Sequence, residues 1–212
     1  YWPQYAEEFY KPIEKMTAKK QAETYGIPTD NSFKIVFTGN IGTAQGLDIL
    51  PQAAELLKNE NIRFVIIGDG RYLEKLVSDI KSRQLENLFV FIARLSAEKI
   101  PMLLSACDVA FISFANNELW KMTIPAKLQS YMACGMPIIA VAEGETKKII
   151  EESKCGRVCK MDDSRELKKI ILEMMKADLQ EMRKNSLYYY NNFYKKEKLI
   201  CQMLEYWDSD VR

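Results

Sequence analysis

The chain has 212 residues, of which 48% are hydrophobic and 28% charged, and its formal net charge is +1. This is the composition of a globular protein and not of a disordered chain, and its length suits one large α/β domain. The near-zero net charge supplies no basic field, which disfavours nucleic-acid binding. No apolar run approaches the roughly 18 residues that a membrane-spanning helix needs.

The cysteines and the missing histidines limit the cofactor chemistry. The five cysteines include no CxxC pair, and the sequence contains no histidine. An odd number of cysteines in apolar surroundings favours a reducing, cytoplasmic location. A metal site built on Cys155 and Cys159 is the weaker alternative, so we expect no metal and no cofactor. The chain begins at Tyr1 and not at methionine, so we expect it to be a piece of a longer protein.

The elements follow in chain order. Residues 1–32 are polar, with prolines and glycine interrupting a helical pattern, and predict a segment that leads into the domain through a linker. From residue 33, short apolar runs alternate with helical patterns of roughly ten residues. Strands are predicted at 33–38, 63–67, 88–92, 108–114, 138–142 and 156–158. Helices are predicted at 47–58, 72–82, 97–106, 128–134 and 146–153, and throughout the chain from residue 164.

This alternation predicts an α/β fold: a doubly wound, Rossmann-like parallel sheet of about six strands, with helices on both faces and a helical C-terminal tail. We assign the sheet domain to residues 33–186 and the tail to residues 187–212. Such sheets bind ligands beyond the carboxyl ends of their strands. The loops of interest are therefore 38–46, 68–71, 93–96, 114–127 and 142–146.

The loop after the first strand contains three glycines, and its candidate ligand contacts are Gly42 and Thr43. Glycines at a strand-to-helix junction let the backbone approach a phosphate closely. The spacing is not G-x-G-x-x-G, so a dinucleotide fingerprint is absent. A tight turn that simply needs glycine is an equally good interpretation.

The loop after the fourth strand places Lys127 at a helix start, because Pro125 suits the first turn of a helix. A lysine there opposes the helix dipole unless an anion binds, which predicts a bound phosphate. A solvated surface lysine is the alternative. In the same loop, Glu118 could accept bonds from sugar hydroxyls and Trp120 could stack, or both could be ordinary surface and packing residues. Arg94, after the third strand, is a candidate for base or phosphate contact or for a surface ion pair.

Several motifs together resemble one family. They are Phe37-Thr38-Gly39, Gln45-Gly46-Leu47, Val65 to Gly70, Ala106 to Val109 and Tyr131 to Ala140. The pattern resembles the C-terminal domain of the retaining GT-B glycosyltransferases of family 4, from about residue 33 to residue 195. The runs Gly39 to Gly42, Ala44 to Leu47 and Pro125 to Ser130 resemble its bacterial amino-sugar transferases, such as the fucosamine transferases of surface polysaccharide synthesis.

The sequence also departs from that family. Where the family commonly has arginine and lysine against the donor diphosphate, this chain has Asn40 and Gln45. Where the family commonly has two glutamates eight residues apart, it has Met122 and Ser130. The resemblance therefore leaves Lys127 to stabilise the leaving diphosphate, and Ser130 or Gln129 to contact the ribose. The expected donor-binding set is Gly42, Thr43, Arg94, Glu118, Lys127, Leu128, Gln129 and Ser130.

The resemblance implies an enzyme that binds a nucleotide sugar, with a UDP-linked amino sugar expected, and transfers it with retention and without a metal to a glycan or lipid-linked acceptor. The acceptor half would be an N-terminal domain outside this chain, so the chain alone should bind without turnover. A non-catalytic nucleotide-sugar module and a sugar-nucleotide 2-epimerase are the alternatives. Attachment of the full-length enzyme to the inner face of the membrane stays open.

The C-terminal tail is unusually aromatic. Between Leu187 and Trp207 it carries more apolar area than one face of a terminal helix needs. We expect part of this face to remain exposed in the isolated chain, because in GT-B enzymes the last helix packs on the N-terminal half. Burial of Tyr194, Tyr206 and Trp207 together would contradict that expectation.

Overall fold

The strands form one parallel sheet. A computed structural model describes residues 3–210, and the side chains of residues 3–207. Its six strands have the order β3-β2-β1-β4-β5-β6, and every neighbouring pair is parallel. The strands are β1 (Phe33–Thr38), β2 (Ile62–Ile67), β3 (Phe89–Ile92), β4 (Val109–Ser113), β5 (Ile138–Val141) and β6 (Gly156–Cys159). The predicted doubly wound α/β fold is confirmed.

Helices cover both faces of the sheet. They are α1 (Lys15–Ala22), α2 (Ile49–Glu55), α3 (Leu73–Ser82), α4 (Ile100–Ala106), α5 (Glu118–Lys121), α6 (Ala126–Ala133), α7 (Gly144–Ser153), α8 (Ser164–Lys176), α9 (Gln180–Phe193) and α10 (Lys196–Asp210). Short 3₁₀ turns lie at Glu23–Tyr25, Thr43–Gln45, Glu86–Leu88 and Ala97–Lys99. Strand β4 is buried along its whole length. A strand this apolar requires helices on both faces of the sheet.

The boundaries differ from the predicted ones where a local conformation decides them. Helix α6 begins two residues before the predicted start, because extended Pro125 serves as its N-cap. The predicted helix from residue 164 onward is three helices, and the first ends where Ala177 turns extended with ψ of 151°. Helix α5 was not predicted; the Asn117 side chain caps it by accepting a bond from the Leu119 amide at 2.9 Å.

The N-terminal segment packs on the domain. Ala18 and Ala22 of α1 are fully buried, and α1 lies against α4. Lys15 Nζ lies 2.7 Å from Asp108 Oδ1, and the Tyr190 hydroxyl donates to the Ala6 carbonyl at 3.2 Å. These contacts bring the segment that the sequence presents as a linker onto the body of the sheet domain.

The tail divides its aromatic residues between core and surface. Tyr194 is 5% exposed, whereas Tyr206 and Trp207 are 64% and 56% exposed. The predicted start of the tail at residue 187 falls inside α9, which packs on α6. Part of the aromatic face is therefore exposed, as expected. Within residues 3–210, no helix combines the length and apolarity needed to cross a lipid bilayer.

The sheet order creates a crevice between β1 and β4. From β1 the chain winds outward to β2 and β3, and from β4 it winds the other way to β5 and β6. Doubly wound sheets bind ligands at such a reversal, beyond the carboxyl ends of the strands. The loops after β1 and β4 and the start of α6 meet at this crevice.

Candidate functional site

Lys127 reaches across the crevice to the backbone that follows β1. It is the second residue of α6, whose N-cap Pro125 offers no side-chain hydrogen bond to the first amides. The Lys127 Nζ lies 3.8 Å from the centroid of the Phe37 ring. Gly39 also lies close to this ammonium: a Cβ atom built onto its backbone would be 3.5 Å from the Lys127 Nζ. The ammonium, the helix N-terminus and the glycine backbone are thus brought to one place.

The environment of Lys127 disfavours its charged form. Its side chain is partly exposed, and no carboxylate of the described side chains forms an ion pair with it. Desolvation lowers the pKa of Lys127 to about 7. The Phe37 ring face attracts the cation, but it does not supply the negative charge that a carboxylate would. An anion bound here would restore the charge at neutral pH.

The glycine-containing loop after β1, residues 39–46, forms hydrogen bonds within itself. The Gly42 amide donates to Gln45 Oε1 at 3.0 Å, and Asn40 Nδ2 lies 3.5 Å from the same oxygen. Thr43 is exposed at the start of the 3₁₀ turn. Gly39 is the residue that approaches Lys127, and its φ of +122° favours glycine. The contact with Lys127 therefore falls three residues before the predicted Gly42.

A cavity of about 420 Å³ lies beyond the carboxyl ends of β1, β2 and β3. Arg94 is exposed at its rim, and Tyr10 of the N-terminal segment forms part of its wall. Its lining residues are Tyr10, Thr38 to Asn40, Ile67 to Asp69, Arg94 to Ala97, and Ile100. The cavity is continuous with Gly39, which also borders Lys127.

Sequence reasoning missed Tyr10. Burial raises the pKa of its phenol, and the Ser130 hydroxyl acts in the opposite direction as a hydrogen-bonding neighbour. Tyr10 belongs to the segment interpreted as a linker, and no local pattern distinguishes it from the other tyrosines there. Its position depends on the packing of that segment against the domain, which the sequence pattern does not encode.

The remaining predicted residues of α6 face different surroundings. Leu128 is fully buried, and its amide donates to the Pro125 carbonyl at 2.9 Å. Gln129 is 1% exposed; in the amide orientation that its neighbours require, it donates to the carbonyls of Pro125 at 2.9 Å and Ala126 at 3.2 Å. Ser130 is partly exposed and donates to the Ala126 carbonyl at 3.3 Å. Of these three side chains, Ser130 keeps a hydroxyl near the cavity wall.

The predicted loop residues Glu118 and Trp120 lie on α5, which packs against α7. The Glu118 carboxylate pairs with Lys121 Nζ at 2.7 Å and is 85% exposed. Trp120 stacks on Phe114 with ring centroids 5.9 Å apart, so its indole packs on the protein. The structure places neither residue in the wall of the cavity that Arg94 borders.

The geometry suits a phosphorylated ligand that spans the crevice. Lys127 and the start of α6 supply positive potential at one point, and the adjoining cavity offers a wall of mixed polar and apolar residues with Arg94 at its rim. Residues 18–192 match the family described as "Glycosyl transferases group 1".

The chain belongs to the group 1 glycosyltransferases. Among curated relatives it is 33% identical over 151 residues to WbjE of Pseudomonas aeruginosa, which is named as a glycosyltransferase; the match covers 69% of this chain and 36% of WbjE. It is 30% identical over 118 residues to WcaI of Escherichia coli, which is named for colanic acid biosynthesis; that match covers 56% of this chain and 28% of WcaI.

A solved structure has the same fold as this group 1 glycosyltransferase chain. Anabaena HepE in complex with UDP-glucose superposes with a TM-score of 0.81 at 21% identity, covering 97% of this chain and 56% of HepE. The likeness shows the fold. The group 1 glycosyltransferase chain therefore spans about half of HepE and about a third of WbjE and WcaI.

Proposed function

We propose that this chain is the donor-binding half of a glycosyltransferase that uses a UDP-linked sugar. The observation that carries the proposal is Lys127, a partly buried lysine at a helix N-terminus with no carboxylate partner among the described side chains. A buried cation in that position is stabilised by an anionic ligand. The solved complex of HepE with UDP-glucose supports a nucleoside diphosphate as that ligand.

The diphosphate and the nucleoside would occupy neighbouring parts of the crevice. The β-phosphate lies between Lys127, the first amides of α6 and Gly39. The nucleoside enters the 420 Å³ cavity, with Arg94 near the α-phosphate or base and the hydroxyls of Tyr10 and Ser130 near the ribose. Gly42, Thr43 and Glu118 remain candidates for outer contacts with the sugar or diphosphate.

Catalysis in this arrangement is electrostatic. Cleavage of the sugar–phosphate bond leaves additional negative charge on the departing diphosphate. A fixed ammonium and free amides aimed at that charge lower the barrier without reorganising. We infer that Lys127 and the α6 N-terminus act without a metal ion and that the family 4 resemblance implies retention at the anomeric carbon.

The finer identity follows the same resemblance. We propose an amino sugar as the donor sugar and a glycan or lipid-linked acceptor bound by an N-terminal domain of the full-length protein. The exposed Tyr206 and Trp207 of α10 are suited to pack on that domain. We further propose that the full-length enzyme works in the cytoplasm, at the inner face of the membrane where lipid-linked acceptors lie.

Calorimetric titration of the chain with UDP and with UMP tests the diphosphate site. We expect UDP to bind more tightly, because a charge-assisted phosphate contact contributes about 1.5–3 kcal/mol, which corresponds to roughly tenfold or more. Equal affinities for the two nucleotides would contradict the assignment of the β-phosphate to Lys127. Titrations with and without EDTA test metal independence, and the UDP affinity should be the same in both.

A further inference from the structure

Strands β1 and β4 separate before they reach the crevice. Their register pairs Ile35 with Val109 and Val36 with Ala110. On its other side, β1 continues in register with β2 as far as Thr38, opposite Ile67. Beyond Val36, no described residue of β1 is paired with a residue of β4. The Thr38 amide therefore needs a hydrogen-bond partner from outside the sheet.

Tyr131 of α6 supplies that partner. Its side chain is fully buried, and its hydroxyl accepts a hydrogen bond from the Thr38 amide at 2.9 Å. The same hydroxyl lies 3.1 Å from Thr38 Oγ1. Burial raises the pKa of Tyr131, so the phenol keeps its proton and can donate to Thr38 Oγ1 while it accepts from the amide.

This contact ties two parts of the candidate phosphate site together. Tyr131 lies four residues after Lys127, so both side chains are on the same face of α6. Thr38 directly precedes Gly39, whose added Cβ would lie 3.5 Å from Lys127 Nζ. One helical turn thus separates the hydroxyl that contacts the end of β1 from the ammonium that lies over Phe37.

We propose that Tyr131 is a positioning residue for the diphosphate: its hydroxyl sets the start of α6 against the end of β1 and so fixes Lys127 opposite Gly39. The inference rests on the proposed function, because it assigns Tyr131 to the placement of the β-phosphate. It goes further in predicting that a residue outside reach of the ligand controls discrimination between a diphosphate and a monophosphate. Charge-assisted bonds depend steeply on geometry, so a small shift of α6 affects Lys127 first.

A purely stabilising tyrosine would behave differently, and the chain offers a matched control. Tyr190 is also buried, and its hydroxyl also bonds to backbone, donating to the Ala6 carbonyl at 3.2 Å. That bond joins α9 to the N-terminal segment. Tyr190→Phe therefore removes a comparable hydroxyl–backbone bond that does not join α6 to β1.

The experiment compares the ratio of UDP to UMP affinity in the wild type, Tyr131→Phe and Tyr190→Phe, together with their melting temperatures. For Tyr131→Phe, which loses both contacts of the hydroxyl with Thr38, we expect the ratio to fall by roughly 3- to 10-fold, while UMP affinity changes little. For Tyr190→Phe we expect a lower melting temperature and an unchanged ratio. Thr38→Val removes the 3.1 Å hydroxyl contact but keeps the amide bond to Tyr131, and it should lower the ratio by about twofold; its effect on the cavity wall is common to UDP and UMP and cancels in the ratio.

The outcomes separate this inference from the proposed function. If wild-type chain binds UDP and UMP equally, the diphosphate site itself is wrong. If the wild type discriminates but Tyr131→Phe weakens both nucleotides equally, or keeps the wild-type ratio, Tyr131 has no positioning role. Should Tyr131→Phe fail to fold, the Thr38→Val ratio decides, and an unchanged ratio there overturns the proposal.

Discussion

Two lysines lie at opposite ends of β1, and their surroundings differ in the polar partners that they offer. Lys34, near the start of the strand, is 1% exposed, and its Nζ donates to the Asp30 carbonyl, the Asp30 carboxylate and the Ser32 carbonyl at 2.8, 3.1 and 3.1 Å. Lys127, at the other end, lies against the face of the Phe37 ring, and no carboxylate among the described side chains forms an ion pair with it.

The difference separates structure from function within one domain. The partners of Lys34 compensate the cost of removing its charge from water. Its partner Asp30 has a pKa lowered to about 2, mainly by the Ser32 hydroxyl and then by Lys34. Lys127 lacks such compensation, and perturbed groups of this kind concentrate at functional sites. The comparison predicts that changes at Lys34 affect folding and changes at Lys127 affect ligand binding.

The largest effect should come from Lys34→Ala. We expect the free energy of unfolding to fall by about 3 kcal/mol, because the substitution removes a buried ammonium that donates three hydrogen bonds and leaves the carbonyls of Asp30 and Ser32 without that donor. Urea unfolding followed by circular dichroism measures this, with the exposed Lys58→Ala as control. UDP affinity under folding conditions should stay at the wild-type value, and a stable Lys34→Ala would refute the structural role.

Lys127→Ala should reverse that pattern. We expect UDP affinity to fall about tenfold or more, since a charge-assisted contact contributes about 1.5–3 kcal/mol, while the melting temperature does not fall. Lys127→Arg should restore part of the affinity, because the guanidinium keeps the charge but changes the geometry. The control is Lys121→Ala at the end of α5, which loses ion pairs to Glu118 and Glu143. Unchanged UDP affinity in Lys127→Ala would make Lys127 an ordinary surface lysine.

The pH dependence of binding should come from Lys127 as well. Its pKa of about 7 in the free chain means that the ammonium loses its proton as the pH rises through neutrality. A diphosphate favours the protonated form, so binding above pH 7 should take up a proton. From pH 7 to 8.5, where the nucleotide is already ionised, UDP affinity should fall by up to about tenfold.

Calorimetry in buffers of different ionisation enthalpy measures the proton uptake directly. Lys127→Met should abolish both the uptake and the loss of affinity. A wild-type affinity that stays constant across this range would show that the lysine remains charged in the free chain, against the effect of its desolvation.

The smallest effect should come from Arg94→Gln. Arg94 is an exposed cation at the cavity rim, so solvent screens it more strongly than Lys127. We expect UDP and UMP affinities to fall together, by about two- to threefold in low salt, and the difference to vanish in high salt. A selective loss of UDP affinity would instead place Arg94 at the β-phosphate.

Much of the fold could be predicted from the sequence, because hydrophobic patterns act over a few neighbouring residues. Near-continuous apolar runs such as residues 63–67 predict buried parallel strands, and β4 is buried along its whole length as predicted. Boundaries were less accurate where one capping contact decides them. The side chain of Asn117, which starts the unpredicted α5, and the extended Ala177, which ends α8, are examples.

The residues of the candidate site likewise fall into those with a local sequence pattern and those placed by long-range packing. A lysine after a proline at a helix start is a local pattern, so Lys127 and its conflict with the helix dipole could be found in the sequence. The closeness of Lys127 to Gly39, and the presence of Tyr10 in the cavity wall, join residues far apart in the chain. Gln129 shows the reverse: a polar residue that the sequence offers for ribose binding is bonded to backbone carbonyls of its own helix.

The sequence by itself determined the order of strands and helices, the doubly wound class and the loops at the carboxyl edge of the sheet. These depend on hydrophobic periodicity and turn residues, which act over a few neighbouring positions. Only the tertiary structure decided which of two lysines has an ion-pair partner among the described side chains. Lys34 and Lys127 are the same residue type beside the same strand, but Asp30 and Ser32 surround the first, and the ring of Phe37 lies beneath the second. Whether a charge stabilises the fold or awaits a ligand depends on those neighbours, because desolvation is costly only where nothing compensates it.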